Sequence, residues 1–488
     1  MFYSNSHLKV EQIIDNNFTV FNFIEKIIFD AHGIPINITR DNIKQKLLAE
    51  LNGERKKRIT GCVNNFFYDL STFMAVFIFL IICTLFLRKK SQESVDILFD
   101  YWTSKADEFY MPISEELYSN NIGILINDYC SGSKMVQESF DDPKYIFLYK
   151  KLFSAQVSWS IVKTHYALFG KYRVFSKSAN LNIVSLVLSL VKEIATHLTF
   201  TESVKAKILV SAHDNGYSPY RYHIYHSNGI ENILLIQNGG RVNIRAFYNS
   251  YIYADYYIGW SKKRFDDFIE MHCDNKLALG SMRLNRLINK LPKGRIEYDI
   301  LFMEQICDGP ESNGTVKKAS ILDGLKNLKR LANECKELKI AYCCRPGRET
   351  KPGKIVSAID KVIDNSRIIK HITKPFESYD LINKSLLIVS FDSSTRCEAL
   401  IMNKFVVTCN YTKYQYDFIV KYSDDKFVIQ SNLYAEFKDK LLYIIDHQDS
   451  YEIQSMHNKM KLSMQAEPVS DISYELSRYI NKHIMNHI

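Results

Sequence analysis

The chain has 488 residues, of which 46% are hydrophobic and 24% are charged, and its formal net charge is +9. This composition excludes an intrinsically disordered chain, and the length exceeds one ordinary core, so two principal domains are expected. The positive charge suits phosphate-bearing substrates or an anionic membrane, but no concentrated basic stripe accompanies it, so nucleic-acid binding is not expected. The 10 cysteines contain no C-x-x-C pair, which argues against a zinc ribbon or a dithiol redox motif.

The most apolar stretch of the chain lies near its beginning. Residues 1–69 form a region to which the sequence assigns no role, and a basic cluster at residues 55–58 leads into residues 70–87, a run without charged side chains. As an α-helix this run would be about 27 Å long, close to the hydrocarbon thickness of a bilayer. It begins too far into the chain for a cleaved signal peptide. Residues 70–90 are therefore predicted to form a transmembrane or membrane-anchoring helix; the alternative is a core or interfacial helix.

Residues 91–291 alternate predicted strands and helices, the pattern of a parallel sheet covered by helices. Strands are predicted at residues 95–100, 122–127, 207–212, 232–236 and 253–260, and helices at residues 146–169, 181–198, 220–227 and 262–271. The apolar helix at residues 181–198 is interrupted by Lys192 and Glu193, so we expect a core helix and not a second span. This segment forms a first α/β domain, and a fragment that begins at residue 91 is expected to fold without the preceding region.

Polar side chains follow two of these strands, at the positions where open parallel sheets carry their sites. Asp128 follows the second predicted strand, and His213 and Asp214 follow the third. A histidine has an ordinary pKa near neutrality, and an adjacent carboxylate can act as a base itself or orient the ring. These three residues are candidates for a general base. The alternative is that they only cap the helices that follow.

A linker with proline and glycine separates the first domain from a second α/β domain at residues 298–488. Its strands are predicted at residues 298–303, 339–344, 386–390 and 405–408, and its helices at residues 318–337, 379–383, 433–447 and 470–484. The second of these strands ends in a turn that holds Arg345 and Arg348. Guanidinium groups can bind phosphate oxygens through paired hydrogen bonds. The alternative is a simple turn with two solvated arginines.

The stretch from residue 385 to residue 410 is the most informative part of the second domain. An apolar strand leads into Ser393, Ser394 and Thr395 at the start of a helix, and Glu398 follows one turn later. The first turn of a helix has unpaired N–H groups and a partial positive charge, which can hold a phosphate. A carboxylate one turn along can accept hydrogen bonds from a ribose diol. The alternative is that Ser393 or Ser394 only caps the helix and that Glu398 is a solvated or capping residue.

This strand-D-S-S-T-x-x-E-A-L-strand pattern resembles the donor-binding helix of GT-B fold transferases. The likeness is greatest to glycosyltransferases and CDP-glycerol glycerophosphotransferase-like enzymes of bacterial surface polysaccharide biosynthesis. It implies that Ser393, Ser394 and Thr395 hold a nucleotide diphosphate, that Glu398 holds the ribose and that the arginine turn faces the phosphates.

A second motif of the first domain also resembles this family. The sequence Gln237-Asn238-Gly239 follows a predicted strand, where the family commonly has Gln-His-Gly at the cleft. Asn238 stands at the position of the family's histidine. The resemblance implies two Rossmann-like domains that face a cleft, with helices at the end of the chain that brace the first domain.

These observations predict a membrane-associated glycosyltransferase that moves a sugar from a nucleotide-activated donor to a surface-polysaccharide or glycolipid acceptor. The alternatives are a glycerophosphotransferase of the same fold and a non-catalytic membrane scaffold. The expected partners are a nucleotide-sugar donor, a carbohydrate or lipid-linked acceptor and the membrane. No metal or other cofactor is required. We expect a single-pass or monotopic protein with cytoplasmic catalytic domains, because activated nucleotide donors are cytosolic.

Overall fold

The computed structural model describes about two thirds of the chain. The described residues are 5–51, 59, 93–100, 110–119, 121–126, 145–149, 164, 167–168, 171–202, 204–212, 217–237, 251–265, 270–288, 291, 295–304, 318–344, 354–373, 377–391, 393, 395–411, 423–464 and 471–485. The predicted membrane helix at residues 70–90 lies outside the described residues. Among those that are described, one helix, Ile183–Thr201, is long and apolar enough to cross a membrane.

The described elements alternate along most of the chain. The strands are β1 Glu93–Asp100, β2 Ile122–Ile126, β3 Tyr145–Tyr149, β4 Val204–Ser211, β5 Ile230–Ile236, β6 Tyr251–Tyr253, β7 Tyr256–Gly259, β8 Glu270–His272, β9 Asn275–Ala278, β10 Tyr298–Met303, β11 Ile340–Cys344, β12 Ile369–Ile372, β13 Ser385–Ser390, β14 Phe405–Cys409 and β15 Val428–Ile429. The helices are α1 Asn5–Asn16, α2 Phe18–His32, α3 Ile36–Leu51, α4 Met111–Glu115, α5 Tyr172–Ala179, α6 Ile183–Thr201, α7 Pro219–Ser227, α8 Lys262–Phe265, α9 Met282–Ile288, α10 Lys318–Glu334, α11 Lys354–Ile363, α12 Glu377–Asn383, α13 Thr395–Ile401, α14 Tyr434–Asp446, α15 Tyr451–Met464 and α16 Ile472–Tyr479.

Two parallel sheets organise the described part of the chain. The first has the order β3-β2-β1-β4-β5-β7-β9 and the second the order β12-β11-β10-β13-β14-β15, and every pairing between described strands in them is parallel. We call each sheet with its helices the first and the second α/β unit. In both orders the direction of winding reverses once, between β1 and β4 and between β10 and β13. Ligands of open α/β sheets bind outside the carboxyl ends of the strands at this reversal.

The amino-acid patterns account for the central elements of the second unit. The run of β13, SLLIVS, is apolar and buried along nearly its whole length, as expected for an inner strand covered on both faces. The helix α10 places Ile321, Leu325, Leu328 and Leu331 at helical spacing, and all four side chains are buried in the second core. The predicted α/β fold with parallel sheets is therefore confirmed.

Two predicted helices are wrong in part. Tyr145–Tyr149 was expected to begin a helix at residue 146 but forms β3, each residue of which pairs with a residue of β2. The described part of the predicted helix at residues 262–271 is Lys262–Phe265, but Glu270–His272 forms a strand that pairs with β6. In both places a short apolar or aromatic run is compatible with a helix or a strand, and pairing with a neighbouring strand favours the strand.

The N-terminal helices α1–α3 form a layer that the sequence did not predict. Val20, Phe21, Ile24 and Leu47 are buried in the same core as the inner residues of the first sheet. The packing of this layer argues against the expectation that a fragment beginning at residue 91 would fold.

Polar contacts also hold this layer in place. Lys46 on α3 donates to Glu193 on α6 at 2.5 Å, and Tyr253 donates to the carboxylate of Asp41. Burial alone would raise the pKa of Glu193, but the charges of Lys46 and His197 lower it to about 2. The region before residue 52 is therefore an integral part of the first α/β unit.

His32 at the end of α2 is expected to make the stability of this layer depend on pH. Its Nε2 lies 2.9 Å from the hydroxyl of Thr164, and burial lowers the pKa of His32 to about 4. Between pH 6.5 and pH 4 the unfolded chain binds a proton that the folded chain does not bind, so stability falls as the pH falls through this window. The loss is on the order of 3 kcal/mol and levels off below pH 4.

The check is urea unfolding at several pH values with the wild type and His32→Gln. The glutamine can keep a hydrogen bond to Thr164 but does not titrate. We expect the variant to lose less stability than the wild type between pH 6.5 and pH 4. An identical slope in the two proteins would exclude His32 as the source. The contribution of Glu193 to stability is lost at lower pH, between pH 4.5 and pH 2, and this loss is the same in both proteins.

Candidate functional site

The structure describes four of the twelve residues that the sequence singled out for a site. Of the twelve, the residues that lie outside the described part of the chain are Asp128, His213, Asp214, Asn238, Gly239, Arg345, Arg348 and Ser394. Their proposed roles remain predictions. The structure places Gln237, Ser393, Thr395 and Glu398, and it adds neighbours that the sequence did not indicate.

Gln237 lies directly after β5 and is 2% exposed. Its side-chain oxygen accepts a hydrogen bond from the backbone N–H of Trp260 at 2.9 Å, and its carbonyl oxygen accepts one from the Trp260 indole at 3.3 Å. These contacts tie the end of β5 to the end of β7. Gln237 therefore stabilises the edge of the first sheet. Its role in a cleft remains a prediction.

Ser393 and Thr395 lie at the start of α13, where the sequence placed them. The backbone N–H of Thr395 donates to the hydroxyl of Ser393 at 3.3 Å, and that of Arg396 donates to the Ser393 carbonyl at 3.1 Å. Ser393 thus caps the helix, as the alternative interpretation expected. Both side chains are partly exposed, so they also remain accessible to a ligand.

Arg396 in the same motif was not singled out by the sequence. Its side chain is fully buried, its Nε donates to the Ser393 carbonyl at 3.0 Å, and its guanidinium donates to the hydroxyl of Thr408 at 2.8 Å. The guanidinium group thereby fastens the start of α13 to β14. A charged residue among the apolar positions of a short predicted helix was the available signal for it.

Glu398 is the predicted site residue with the most distinctive surroundings. It is 2% exposed, and its two carboxylate oxygens accept hydrogen bonds from Ser281 Oγ at 2.8 Å and from Tyr379 OH at 2.7 Å. Burial and the charge of Glu398 raise the pKa of Tyr379 well above its ordinary value, so the phenol stays protonated and donates. Ser281 belongs to the first α/β unit, which makes Glu398 a contact between the two units.

Further hydrogen bonds join the two units near this carboxylate. Ser261 Oγ in the first unit donates to the Ser463 carbonyl on α15 at 3.1 Å. Asn285 on α9 accepts from the backbone N–H of Ile472, at the start of α16, at 3.0 Å. The helix α16 then returns to the first sheet, where Ser477 Oγ donates to the Ile113 carbonyl at 2.9 Å.

The reversal point of the first sheet holds a buried ion pair that sequence reasoning missed. Asp100 is the last residue of β1, and its carboxylate accepts hydrogen bonds from Ser211 Oγ at 2.9 Å and from the Arg221 guanidinium. The side chains of Asp100 and Arg221 are 9% and 13% exposed. Burial alone would lower the pKa of Arg221, but Asp100 and the neighbouring tyrosines raise it, so the group stays charged.

Aromatic side chains enclose this ion pair. The guanidinium carbon of Arg221 lies 4.5 Å from the ring centroid of Tyr217 and 5.3 Å from that of Tyr225. Tyr110 donates to the carbonyl oxygen of Asp100 and accepts from the backbone N–H of Ala212 at 3.0 Å. These contacts fix the end of β4, the strand that precedes His213 and Asp214 in the sequence. A polar residue at a strand end was the signal that could have identified Asp100.

Within the described residues, no group of three or more His, Cys, Asp or Glu side chains is arranged to hold a metal ion. The arrangement instead offers a buried carboxylate between two parallel sheets, partly exposed hydroxyls beside it, and a fixed strand end on the opposite unit. Chemically, such a site can orient a polyhydroxylated ligand through the carboxylate and the hydroxyls.

No protein-family model and no curated protein matches the chain. Solved structures to which the chain is similar include a putative UDP-N-acetylglucosamine 2-epimerase from Listeria monocytogenes, with a TM-score of 0.47 and 10% identity over 81% of this chain and 98% of that one. The UDP-GlcNAc 2-epimerase from Neisseria meningitidis bound to UDP-GlcNAc has a TM-score of 0.46 and 11% identity over 80% and 100%. The wall teichoic acid polymerase TagF has a TM-score of 0.43 and 12% identity over 93% and 99%.

Proposed function

We propose that the chain is a transferase that uses a nucleotide-activated donor, with a glycosyl group as the moiety transferred. The observation that carries the proposal is the placement of Glu398. It lies on the helix that follows β13, beside the reversal point of the second sheet, and faces the first α/β unit. A carboxylate at this edge can accept two hydrogen bonds from the vicinal hydroxyls of a ribose.

The remaining groups of the proposed donor site follow two strands of the second sheet in the sequence. Ser393 and Thr395 supply hydroxyl donors, and Arg345 and Arg348 supply positive charge for the diphosphate that leaves. Because these groups stabilise the developing charge directly, the proposed transfer needs no metal ion. The acceptor hydroxyl binds to the first unit, and a base from His213, Asp214 or Asp128 removes its proton.

The acceptor is a surface polysaccharide or a lipid-linked carbohydrate, and the protein acts at a membrane. The basis for this part of the proposal is the uncharged run at residues 70–87, between two basic clusters. The catalytic units face the cytoplasm, where activated nucleotides are made. A glycerophosphate group in place of the sugar is the second candidate, because the same donor site would hold a CDP-linked glycerol.

A thermal-shift and calorimetric screen of the full chain in detergent tests the donor site. The ligands are UDP, GDP, CDP and CMP with their sugar or glycerol conjugates. A ligand that binds the folded state raises the unfolding temperature by mass action. We expect one nucleotide to bind and Glu398→Gln to weaken its binding about 10- to 100-fold, because a hydrogen bond to a charged group is lost.

Glutamine is the appropriate substitution because alanine would leave the buried hydroxyls of Ser281 and Tyr379 without their acceptor. The matched control is Glu436→Gln. The Glu436 carboxylate also accepts hydrogen bonds on both oxygens, from the backbone N–H groups of Gln430 at 2.9 Å and Ser431 at 3.1 Å, but it lies on α14. Equal weakening in both variants would remove Glu398 from the site. Absence of binding by any nucleotide would favour the non-catalytic scaffold.

A further inference from the structure

We infer that Tyr217 and Arg221 bind an uncharged hydroxyl group of the acceptor at the reversal point of the first sheet. The inference rests on the proposed function, because it identifies the chemistry of the acceptor that the first α/β unit would hold. It assigns a ligand to two side chains that lie outside every motif from which the proposed function was argued. The part of the acceptor that enters this site is therefore a neutral polyol.

Two buried hydrogen-bond donors near this reversal have no acceptor within the described part of the chain. They are the hydroxyl of Tyr217 and the Nε–H of Arg221, and both atoms are shielded from solvent. Tyr217 as a whole is 1% exposed. A buried donor without an acceptor destabilises a folded protein, and such donors are rare. Two of them in one place indicate a group that binds there from outside the chain.

Both donors lie where open α/β sheets bind their ligands. The guanidinium of Arg221 donates to Asp100 at the end of β1, and Asp100 accepts a second hydrogen bond from Ser211 at the end of β4. The winding of the first sheet reverses between these two strands. The guanidinium carbon lies 4.5 Å from the ring centroid of Tyr217, so the phenol belongs to the same cluster.

The charges of this cluster determine the kind of ligand. The carboxylate of Asp100 balances the guanidinium of Arg221. Burial raises the pKa of Tyr217 well above its ordinary value, so the phenol stays neutral and donates. A phosphate or carboxylate would add a charge to a pair that is already balanced, and its transfer out of water is costly. The oxygen of an alcohol accepts hydrogen bonds from both donors without adding a charge.

The position of the cluster also suits the proposed transfer. Strand β4 ends at Ser211, and the candidate bases His213 and Asp214 follow it in the sequence. One hydroxyl bound by Tyr217 and Arg221 orients the acceptor, and a different hydroxyl of the same polyol is then available for transfer. Tyr217 is therefore a positioning residue, whose loss affects acceptor binding.

Saturation-transfer NMR on the full chain, in a detergent without a sugar head group, tests this assignment. The neutral probes are glycerol and the methyl glycosides of glucose, galactose and N-acetylglucosamine, and the anionic probes are glucuronate and glucose 1-phosphate. We expect at least one neutral probe to bind, and the anionic probes to bind more weakly. Tyr217→Phe should weaken binding of the neutral probe about 3- to 10-fold, because one hydrogen bond between uncharged groups is lost.

Tyr220→Phe is the matched control. The hydroxyl of Tyr220 is also buried, but it lies beside Thr39 on α3 and not at the reversal point. This variant should bind the neutral probe as the wild type does. Urea unfolding without ligand is a second readout. Tyr217→Phe should unfold at the same or a higher urea concentration than the wild type, because it removes a donor that has no acceptor within the protein.

Binding of no neutral probe overturns the inference, as do tighter binding of the anionic probes and equal neutral-probe affinity in Tyr217→Phe and Tyr220→Phe. A lower urea midpoint for Tyr217→Phe also overturns it, because the hydroxyl would then have a partner in the unliganded protein. The proposed function fails separately. Nucleotide binding without sugar binding supports the donor site and removes this one, whereas sugar binding that depends on Tyr217, with no nucleotide bound, supports the polyol site and contradicts the transferase.

Discussion

A chain that lacks residues 1–51 is expected not to reach a stable soluble fold. Deletion removes Val20, Phe21, Ile24 and Ile28 from the core that they share with the first sheet. Each fully buried apolar side chain contributes about 1.5–3 kcal/mol, so the removed layer contributes about as much as the 5–15 kcal/mol by which a typical domain is stable. The measurement is size-exclusion chromatography and circular dichroism of the full and shortened chains in the same detergent.

Two point substitutions test the buried contacts of this layer without shortening the chain. Lys46→Met leaves the carboxylate of Glu193, which is 18% exposed, without the cation of Lys46, and this is expected to cost about 3–5 kcal/mol of unfolding free energy. Lys326→Met on α10 removes a pair with Asp323 in which the lysine side chain is 65% exposed, and it should cost at most about 1 kcal/mol. A shortened chain that elutes as a folded monomer, or equal effects of the two lysine variants, would contradict the assignment of this layer to the core.

The reason the sequence did not reveal this layer is physical. Helix α3 is buried at polar positions such as Asp41 and Lys46, so its side chains do not show the apolar stripe of an amphipathic helix. The partners that make those positions favourable are Tyr253 and Glu193, far away in the chain. Only the folded chain brings them together. Hydrophobic periodicity reflects only the local sequence, so it cannot predict hydrogen bonds between residues that are distant in the chain.

The second sheet was predictable for the opposite reason. Strand β13, the hydroxyl residues, helix α13 and strand β14 follow one another within residues 385–410, so local pattern contains nearly all the information. The same motif predicted the position of Glu398 but not its environment. Ser281 is 117 residues distant, and nothing in its neighbourhood marks it as a partner of that carboxylate. The residue that carries the candidate site was therefore predictable, and its contact with the other unit was not.

Breaking the Asp100–Arg221 pair at the reversal point of the first sheet is expected to destabilise the first unit strongly. Removing either charge leaves the other buried and uncompensated, which costs about 3–5 kcal/mol. Asp100→Asn and Arg221→Met should each show this loss in urea unfolding. The double variant should lose clearly less than the two single losses combined, because it leaves no unpaired charge. Additive losses would show that the two residues act independently.

The surface pair Arg478–Glu475 provides the control for this cycle. The charged atoms of this pair are also close, at 2.8 Å, but the arginine side chain is 65% exposed, so each single substitution should change the unfolding free energy by at most about 1 kcal/mol.

The contacts around Asp100 also bear on the proposed chemistry. Asp100 also accepts from Ser211, and Tyr110 holds the N–H of Ala212, the residue before His213. If that histidine or the aspartate after it is the base, a variant of Tyr110 that keeps the fold, such as Tyr110→Phe, should shift the pH profile of transfer, whereas Arg478→Met should leave it unchanged.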